Sequence, residues 1–262
     1  MRELAERTGG VTGVVATVFQ QARIRIAVDG NMSDWRSPGQ GTLLVGDHRG
    51  GIEFAPLLAL FGALGREDVH FIGKPFSRTF RILNSLGTHA DGLTLPVIPR
   101  TLARDRAGIF NRDLHWRIAK GDTLPTSAEL AVINAKTLER AAALISAGDL
   151  VNLYPAGGVV DAAVRPWYRG LGTIIKTLKT EDCEFVRIVL FRFDDFAATK
   201  VVRRLVLQSH GITPRRPYTI TLRIGPSGTI SELLGGGAVV DELSAADITD
   251  RLRGLFVEQF GK

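Results

Sequence analysis

The chain has 262 residues, 45% of them hydrophobic, so it can bury a substantial core. Its formal net charge of +6 favours an anionic partner, but the basic residues lack the aromatic interleaving of RNA-binding segments, and we expect no nucleic-acid partner. The single cysteine, Cys183, excludes an intramolecular disulfide and favours a reducing compartment. We expect neither a signal peptide nor a membrane span, and therefore a cytoplasmic protein that contacts at most the inner face of a membrane.

The predicted elements alternate strands with helices. We predict the elements from hydrophobic periodicity and from the glycine and proline residues that end them. In chain order they are a helical segment at 1–21, strands at 23–28 and 42–46, a helix at 52–64, a strand at 69–74, helices at 75–87 and 127–148, a strand at 150–155, a helix at 168–179, strands at 185–193 and 218–225, and a helix at 244–260. Ser127 is the expected N-cap of the 127–148 helix. This order predicts a single α/β domain over residues 1–262, with a mixed, mostly parallel sheet flanked by helices.

A histidine follows the buried strand at 42–46, in the stretch VGDHRGGIEFAPLLALFG. In α/β folds functional groups collect at the carboxyl ends of strands, where His48, Lys74 and the stretch beginning at Pro155 are all expected. Glu53 lies in the opening turn of the next helix, so its carboxylate can hold one imidazole nitrogen while the other removes a proton. The alternative is a solvated histidine in a loop between a buried strand and a buried helix.

The predicted pair of His48 and Glu53 supplies a general base but no nucleophile from the protein itself. No serine or cysteine adjoins His48, so the nucleophile is expected to arrive with the substrate, as a hydroxyl or amine that attacks an activated carbonyl. Gly50 and Gly51 allow close approach at the helix start, where free backbone N–H groups favour a developing oxyanion. The stretch therefore predicts direct acyl transfer.

Three blocks, GDHRGGIE, FIGKPFSRTFRILNSLG and LVNLYPAGGV, occur in the order seen in PlsC-type glycerolipid acyltransferases, and the chain resembles that family from about Arg23 onward. The resemblance implies the family's fold, an acyl thioester of coenzyme A or acyl carrier protein as co-substrate with no other cofactor, and an acceptor hydroxyl of a lysophospholipid or glycerol phosphate. It makes His48 the general base and Glu53 its partner. It places substrate contacts in or beside the second and third blocks, at Lys74, Arg78, Pro155, Gly157, Gly158, Arg165 and Arg169.

The chain departs from the family's pattern in two blocks. Glu53 replaces an aspartate, and Asp47 replaces the asparagine before the histidine. The third block reads YPAGGVV where the family commonly has FPEGTRS, so the glutamate and the arginine are absent. Two alternatives stay open: acylation of a non-phosphorylated acceptor such as an amine or specialised metabolite, and a catalytically silent relative that binds acyl chains or a carrier protein.

Residues outside these blocks add two expectations. The segment 93–127 interleaves basic and apolar residues, as in a lid or membrane-facing flap, although a solvated surface excursion explains it equally well. The histidines outside the first block lack metal-ligand spacing, and Cys183 lies between two acidic residues that disfavour its thiolate. We therefore expect neither a metal site nor a cysteine nucleophile.

Overall fold

The fold is built on one seven-stranded sheet. A computed structural model of the chain describes residues 10–36, 39–48, 52–73, 94–97, 125–157 and 161–261. The strands are β1 Ile24–Asp29, β2 Thr42–Gly46, β3 Val69–Gly73, β4 Thr94–Pro96, β5 Leu150–Leu153, β6 Arg187–Asp194 and β7 Tyr218–Thr229. The helices within the described ranges are α1 Gly10–Gln21, α2 Ser33–Arg36, α3 Phe54–Ala63, α4 Ser127–Ser146, α5 Gly170–Thr177, α6 Ala198–Ser209, α7 Ile230–Leu234, α8 Gly237–Glu242 and α9 Ala245–Phe260, with a 3-10 turn at Glu181–Glu184.

The strand order is β1-β7-β6-β2-β5-β3-β4, and neighbouring strands run parallel except β6 and β7. The predicted α/β class, with a mostly parallel sheet flanked by helices, is confirmed. β2 lies near the centre, where Val45 stands opposite Leu153 of β5 and Leu190 of β6. Because these three strands are parallel, their carboxyl ends meet at one edge of the sheet. Residues that follow β2, β5 and β6 therefore form one neighbourhood.

The central strand β2 is apolar on both faces because helices cover both faces. Leu43 and Val45 pack with residues of α4, α5 and α9, whereas Leu44 points the other way and packs with residues of α1 and α3. Every residue of β2 is buried. This explains why its sequence reads as a continuous apolar run rather than as the alternation of a half-exposed strand.

Helices α1 and α3 pack closely together at a glycine of α3. A Cβ atom added at Gly62 of α3 would lie only 2.0 Å from the carbonyl oxygen of Thr12 in α1. The absent side chain lets the two backbones touch, which fixes α3 against α1. The N-terminal end of α3 is thereby held over the carboxyl edge of the sheet.

Several boundaries differ from the sequence predictions. Thr126, not Ser127, caps α4: its Oγ1 accepts a hydrogen bond from the Glu129 N–H, and the Glu129 carboxylate accepts one from the Thr126 N–H. A capping box needs a glutamate three residues after the cap, and only Thr126 meets that spacing with Glu129. Helix α6 was not predicted, and β7 continues four residues beyond its predicted end.

The predicted helix at 75–87 and most of the segment 93–127 lie outside the described residues. The start of that segment forms the edge strand β4, which pairs with β3. Within the described ranges, none of the helices combines the length and apolar character that crossing a bilayer requires.

Gly62→Ala should destabilise the protein by about 1–3 kcal/mol, because the new methyl group must push α1 away from α3. Gly254→Ala in α9 is the matched control. Its Cβ meets nothing within 4 Å, so the same change should stabilise the helix by about 0.5–1 kcal/mol. Urea denaturation of both variants measures the two effects, and equal shifts would contradict the close approach.

Candidate functional site

The structure brings His48 and Glu53 together at the carboxyl edge of the sheet. His48 lies two residues beyond β2, and Glu53 is the N-cap residue of α3. Nδ1 of His48 is 2.8 Å from Oε2 of Glu53, an ion-pair distance, although the approach lacks the alignment of a hydrogen bond. The Glu53 side chain is 1% exposed and that of His48 is 21% exposed. The carboxylate is thus sealed from solvent, while the imidazole is open to a ligand.

Tyr154 stacks on the imidazole, a contact the sequence analysis missed. Its ring centroid is 4.7 Å from that of His48, with an interplanar angle of 24°. Tyr154 directly follows β5, which pairs with β2, so the two side chains leave adjacent parallel strands at the same edge. Knowledge that β2 pairs with β5 would have predicted this contact. The spacing of residues in the sequence does not reveal which strands pair. The flat face of the phenol limits the orientation of the imidazole.

The Tyr154 hydroxyl is buried and has no hydrogen-bond partner among the described residues. Burial raises the pKa of this phenol well above its usual value, and the carboxylates of Glu53 and Asp47 raise it further. Tyr154 is therefore a neutral phenol across the physiological pH range. An unpaired buried hydroxyl costs about 1–3 kcal/mol of stability.

Asp47, which precedes the histidine, has a structural partner. It is 2% exposed, and its Oδ1 accepts a hydrogen bond of 3.0 Å from the backbone N–H of Ala162. The carbonyl of Ala162 in turn accepts from the indole N–H of Trp167 at 2.8 Å. Asp47 thereby attaches the segment after the third block to the end of β2.

A cavity of about 170 Å³ opens beside Glu53. It is lined by Asp47, Glu53, Phe193, Asp194, Asp195 and Phe196. Arg192 and Arg223 contact the Asp194 carboxylate at 2.8 Å, so its charge is largely balanced. A space of this size suits a head group or a small acceptor better than a complete acyl chain.

The third block forms a turn beyond β5. The N–H of Gly157 donates to the carbonyl of Tyr154 at 3.0 Å, and the N–H of Tyr168 donates to the carbonyl of Pro155 at 2.9 Å. Gly157 has a φ of +69°, and a Cβ there would lie 2.3 Å from the Tyr168 ring. Pro155 and Gly157 therefore lie at the same edge as His48, in a turn that requires glycine.

Of the remaining predicted site residues, the structure describes Arg165 and Arg169. Arg165 and Arg169 are exposed, and within the described part of the chain neither guanidinium contacts His48 or Glu53. The other predicted residues lie outside the described residues: Gly50, Gly51, Lys74, Arg78 and Gly158.

A second histidine–carboxylate pair lies elsewhere. Nε2 of His70 in β3 is 2.9 Å from Oδ2 of Asp149, the residue before β5. This pair is near the amino ends of its strands, away from the edge where His48 lies. A short distance between a histidine and a carboxylate is thus not specific to the candidate site.

The Cys183 thiol does not have the lowered pKa of a cysteine nucleophile. Burial raises the pKa of the Cys183 thiol, and nearby carboxylates, led by Asp241, raise it further. The described residues contain no group of three or more histidine, cysteine, aspartate or glutamate side chains placed to hold a metal ion.

Comparison with known proteins does not identify a family for this chain. None of the protein-family models matches the chain, and the search of curated proteins finds no match. Among solved structures, the 1-acyl-sn-glycerophosphate (LPA) acyltransferase PlsC from Thermotoga maritima is similar. The sequences are 14% identical, the match covers 97% of this chain and 83% of that chain, and the TM-score is 0.42. The function must therefore be argued from the site itself.

Tyr154→Phe should leave the free energy of unfolding unchanged or raise it by about 1 kcal/mol, because it removes a buried hydroxyl that has no partner. Tyr218→Phe is the matched control. The Tyr218 hydroxyl donates to the Asp195 carbonyl at 2.5 Å and accepts from the Ala197 N–H at 2.8 Å, so its loss should cost about 1–3 kcal/mol. Thermal denaturation compares the variants, and a destabilised Tyr154→Phe would show that the hydroxyl has a structural partner.

Proposed function

We propose that the protein is an acyltransferase of the PlsC type, with His48 as general base and Glu53 as its orienting partner. The observation that carries the proposal is the 2.8 Å contact between a sealed carboxylate and an accessible imidazole, at the carboxyl edge of the sheet and beside a cavity. The second histidine–carboxylate pair lacks this position. Contacts between catalytic groups in unliganded sites are often poorly aligned and tighten when substrate binds.

In the proposed reaction, His48 accepts a proton from the acceptor and later gives it to the leaving group. Glu53 faces Nδ1 of His48, which leaves Nε2 to take the proton of the acceptor hydroxyl. The acceptor oxygen attacks the thioester carbonyl carbon, and the carbonyl oxygen gains negative charge. When the tetrahedral intermediate collapses, the carbon–sulfur bond breaks and the imidazolium returns its proton to the leaving thiolate.

Two features of the site support the imidazolium that forms during this transfer. The buried Glu53 carboxylate lies against Nδ1, and its attraction to a positive ring is little screened by water. The face of Tyr154 lies against the imidazole, and aromatic faces attract cations. We assign the stabilisation of the oxyanion to backbone N–H groups near Gly50 and Gly51, assisted by Lys74.

The proposed co-substrate is an acyl thioester of coenzyme A or acyl carrier protein, and no cofactor is required. The proposed acceptor is the hydroxyl of a lysophospholipid or glycerol phosphate. We assign substrate contacts to the turn beyond β5 and to basic residues near the strand ends: Lys74, Arg78, Pro155, Gly157, Gly158, Arg165 and Arg169.

One observation favours a second acceptor class. Four carboxylates line the cavity beside the base, together with the rings of Phe193 and Phe196. Asp194 is largely balanced by Arg192 and Arg223, but the charge of the exposed Asp195 and the two aromatic rings attract an ammonium group, and the same charge repels a phosphate. A non-phosphorylated acceptor with a positive charge, such as an amine-bearing metabolite, is therefore the alternative to a glycerol phosphate.

His48→Ala should lower kcat for acyl transfer from a long-chain acyl-CoA by about 10²–10⁴-fold, because general-base assistance is lost. Glu53→Gln keeps the shape but removes the charge that supports the imidazolium, so kcat should also fall. His70→Ala provides the matched control, because it removes a histidine from a similar pair outside the site. Its kcat should remain within about twofold of the wild type.

Each outcome of this comparison separates two interpretations. Turnover by the wild type that disappears in His48→Ala, but not in His70→Ala, excludes a silent acyl-binding protein. Equal turnover of His48→Ala and the wild type would overturn the proposed base.

Asp195→Asn tests the acceptor class. Asparagine tolerates the left-handed backbone of Asp195, whose φ is +56°, so the change removes the charge at little structural cost. With an amine acceptor, KM for the acceptor should rise about three- to tenfold at unchanged kcat, because ground-state attraction is lost. With a phosphate acceptor, KM should fall. Steady-state kinetics on one acceptor of each class distinguish the two, and an unchanged KM for both would show that the cavity does not bind the acceptor.

A further inference from the structure

One surface of the protein is strongly basic and also exposes apolar side chains. Residues 198–217, which comprise α6 and the loop after it, contain five lysines and arginines and no aspartate or glutamate. Three apolar side chains in this stretch are about half exposed: Val202 at 47%, Val206 at 50% and Ile212 at 54%. We call the exposed part of residues 198–217 the α6 surface.

The helical spacing accounts for this exposure. Val201 is completely buried and Leu205 packs against the core, so these two residues hold α6 on the protein. Val202 and Val206 are one turn apart and point outward, and Arg203 is exposed beside them. The outward face of α6 therefore combines apolar and basic side chains.

The loop after α6 is fastened beside the helix. Nη2 of Arg204 donates to the carbonyl of Arg216 at 2.8 Å, and Nη1 of Arg23 donates to the carbonyl of Arg215 at 2.8 Å. These bonds use only the backbone of Arg215 and Arg216, whose side chains are exposed. The charges of Arg23, Arg203, Arg215 and Arg216 thus converge on one side of the molecule.

We propose that the α6 surface docks the protein on an anionic lipid bilayer. Guanidinium and ammonium groups are attracted to acidic head groups, while exposed valine and isoleucine side chains enter the boundary between head groups and acyl chains. The proposal does not depend on acyl transfer, because it concerns a surface rather than the candidate site.

The charge pattern argues against two other occupants. A second copy of this chain seated on the same surface would bring two sets of five cations together without a carboxylate to balance them. A nucleic-acid backbone would satisfy the cations but leave Val202, Val206 and Ile212 against phosphates. An acidic carrier protein is a further occupant, and the experiment distinguishes it.

The test is sedimentation of the full chain with two kinds of vesicle. One is phosphatidylcholine alone, and in the other phosphatidylglycerol makes up about a third of the lipid. The wild type should bind only the anionic vesicles, and binding should weaken as salt is raised. Each cation near an anionic surface strengthens binding about fivefold, so Arg203→Gln, Arg215→Gln and Arg216→Gln together should weaken it roughly a hundredfold. Val202→Ser with Val206→Ser should weaken it about tenfold.

The control variants make the same changes on other exposed surfaces. Lys136→Gln, Arg140→Gln and Lys179→Gln lower the net charge equally, and Val132→Ser with Val164→Ser removes two exposed valines. These controls, and His48→Ala, should bind vesicles like the wild type, and circular dichroism should show that every variant is folded. Equal weakening by the control set would overturn the proposal, as would a wild type that binds an acidic carrier protein but not anionic vesicles.

Discussion

The candidate site depends on the burial of one carboxylate. Removing a charged group from water is costly unless a partner compensates it, and Glu53 is almost completely sealed from solvent. Its partners include the His48 ring and the N-terminal end of α3, where the helix dipole favours negative charge. This compensation requires α3 to stay in place, and the contact of Gly62 with α1 provides that constraint. Helix packing and site geometry are therefore coupled.

Position in the sheet, rather than proximity, distinguishes the two histidine–carboxylate pairs. Both have nitrogen–oxygen distances below 3 Å. The pair of His48 and Glu53 lies beyond the carboxyl end of a central parallel strand, beside a cavity and under an aromatic ring. The pair of His70 and Asp149 ties together the amino ends of two neighbouring strands. In parallel α/β sheets the carboxyl edge is where ligands bind, so the same chemistry has different consequences at the two edges.

The charged side chains of the protein are unevenly distributed, although the net charge is positive. The cavity beside the base is lined by carboxylates, whereas the stretch from α6 to β7 carries five cations and no acid. The two regions adjoin in sequence, because Asp195 and Phe196 line the cavity and α6 starts two residues later. The basic α6 surface and the acidic cavity lining are therefore joined by one short connection. The net charge alone indicates the basic surface but not the acidic cavity lining.

The sequence by itself determined the features that depend on local pattern. The five-residue apolar run of β2, the long helix α4 and the pairing of His48 with Glu53 within a short turn all involve residues close in the chain. The cap of α4 follows a local rule too, but the prediction of Ser127 was wrong, because Thr126 is the residue that stands three positions before Glu129. Only the tertiary structure decided the contacts that depend on strand order: Tyr154 on the imidazole, Ala162 on Asp47, and Asp194 and Asp195 beside Glu53. These residues are distant in sequence, and they meet because β2 pairs with β5 and β6, which hydrophobic periodicity does not specify.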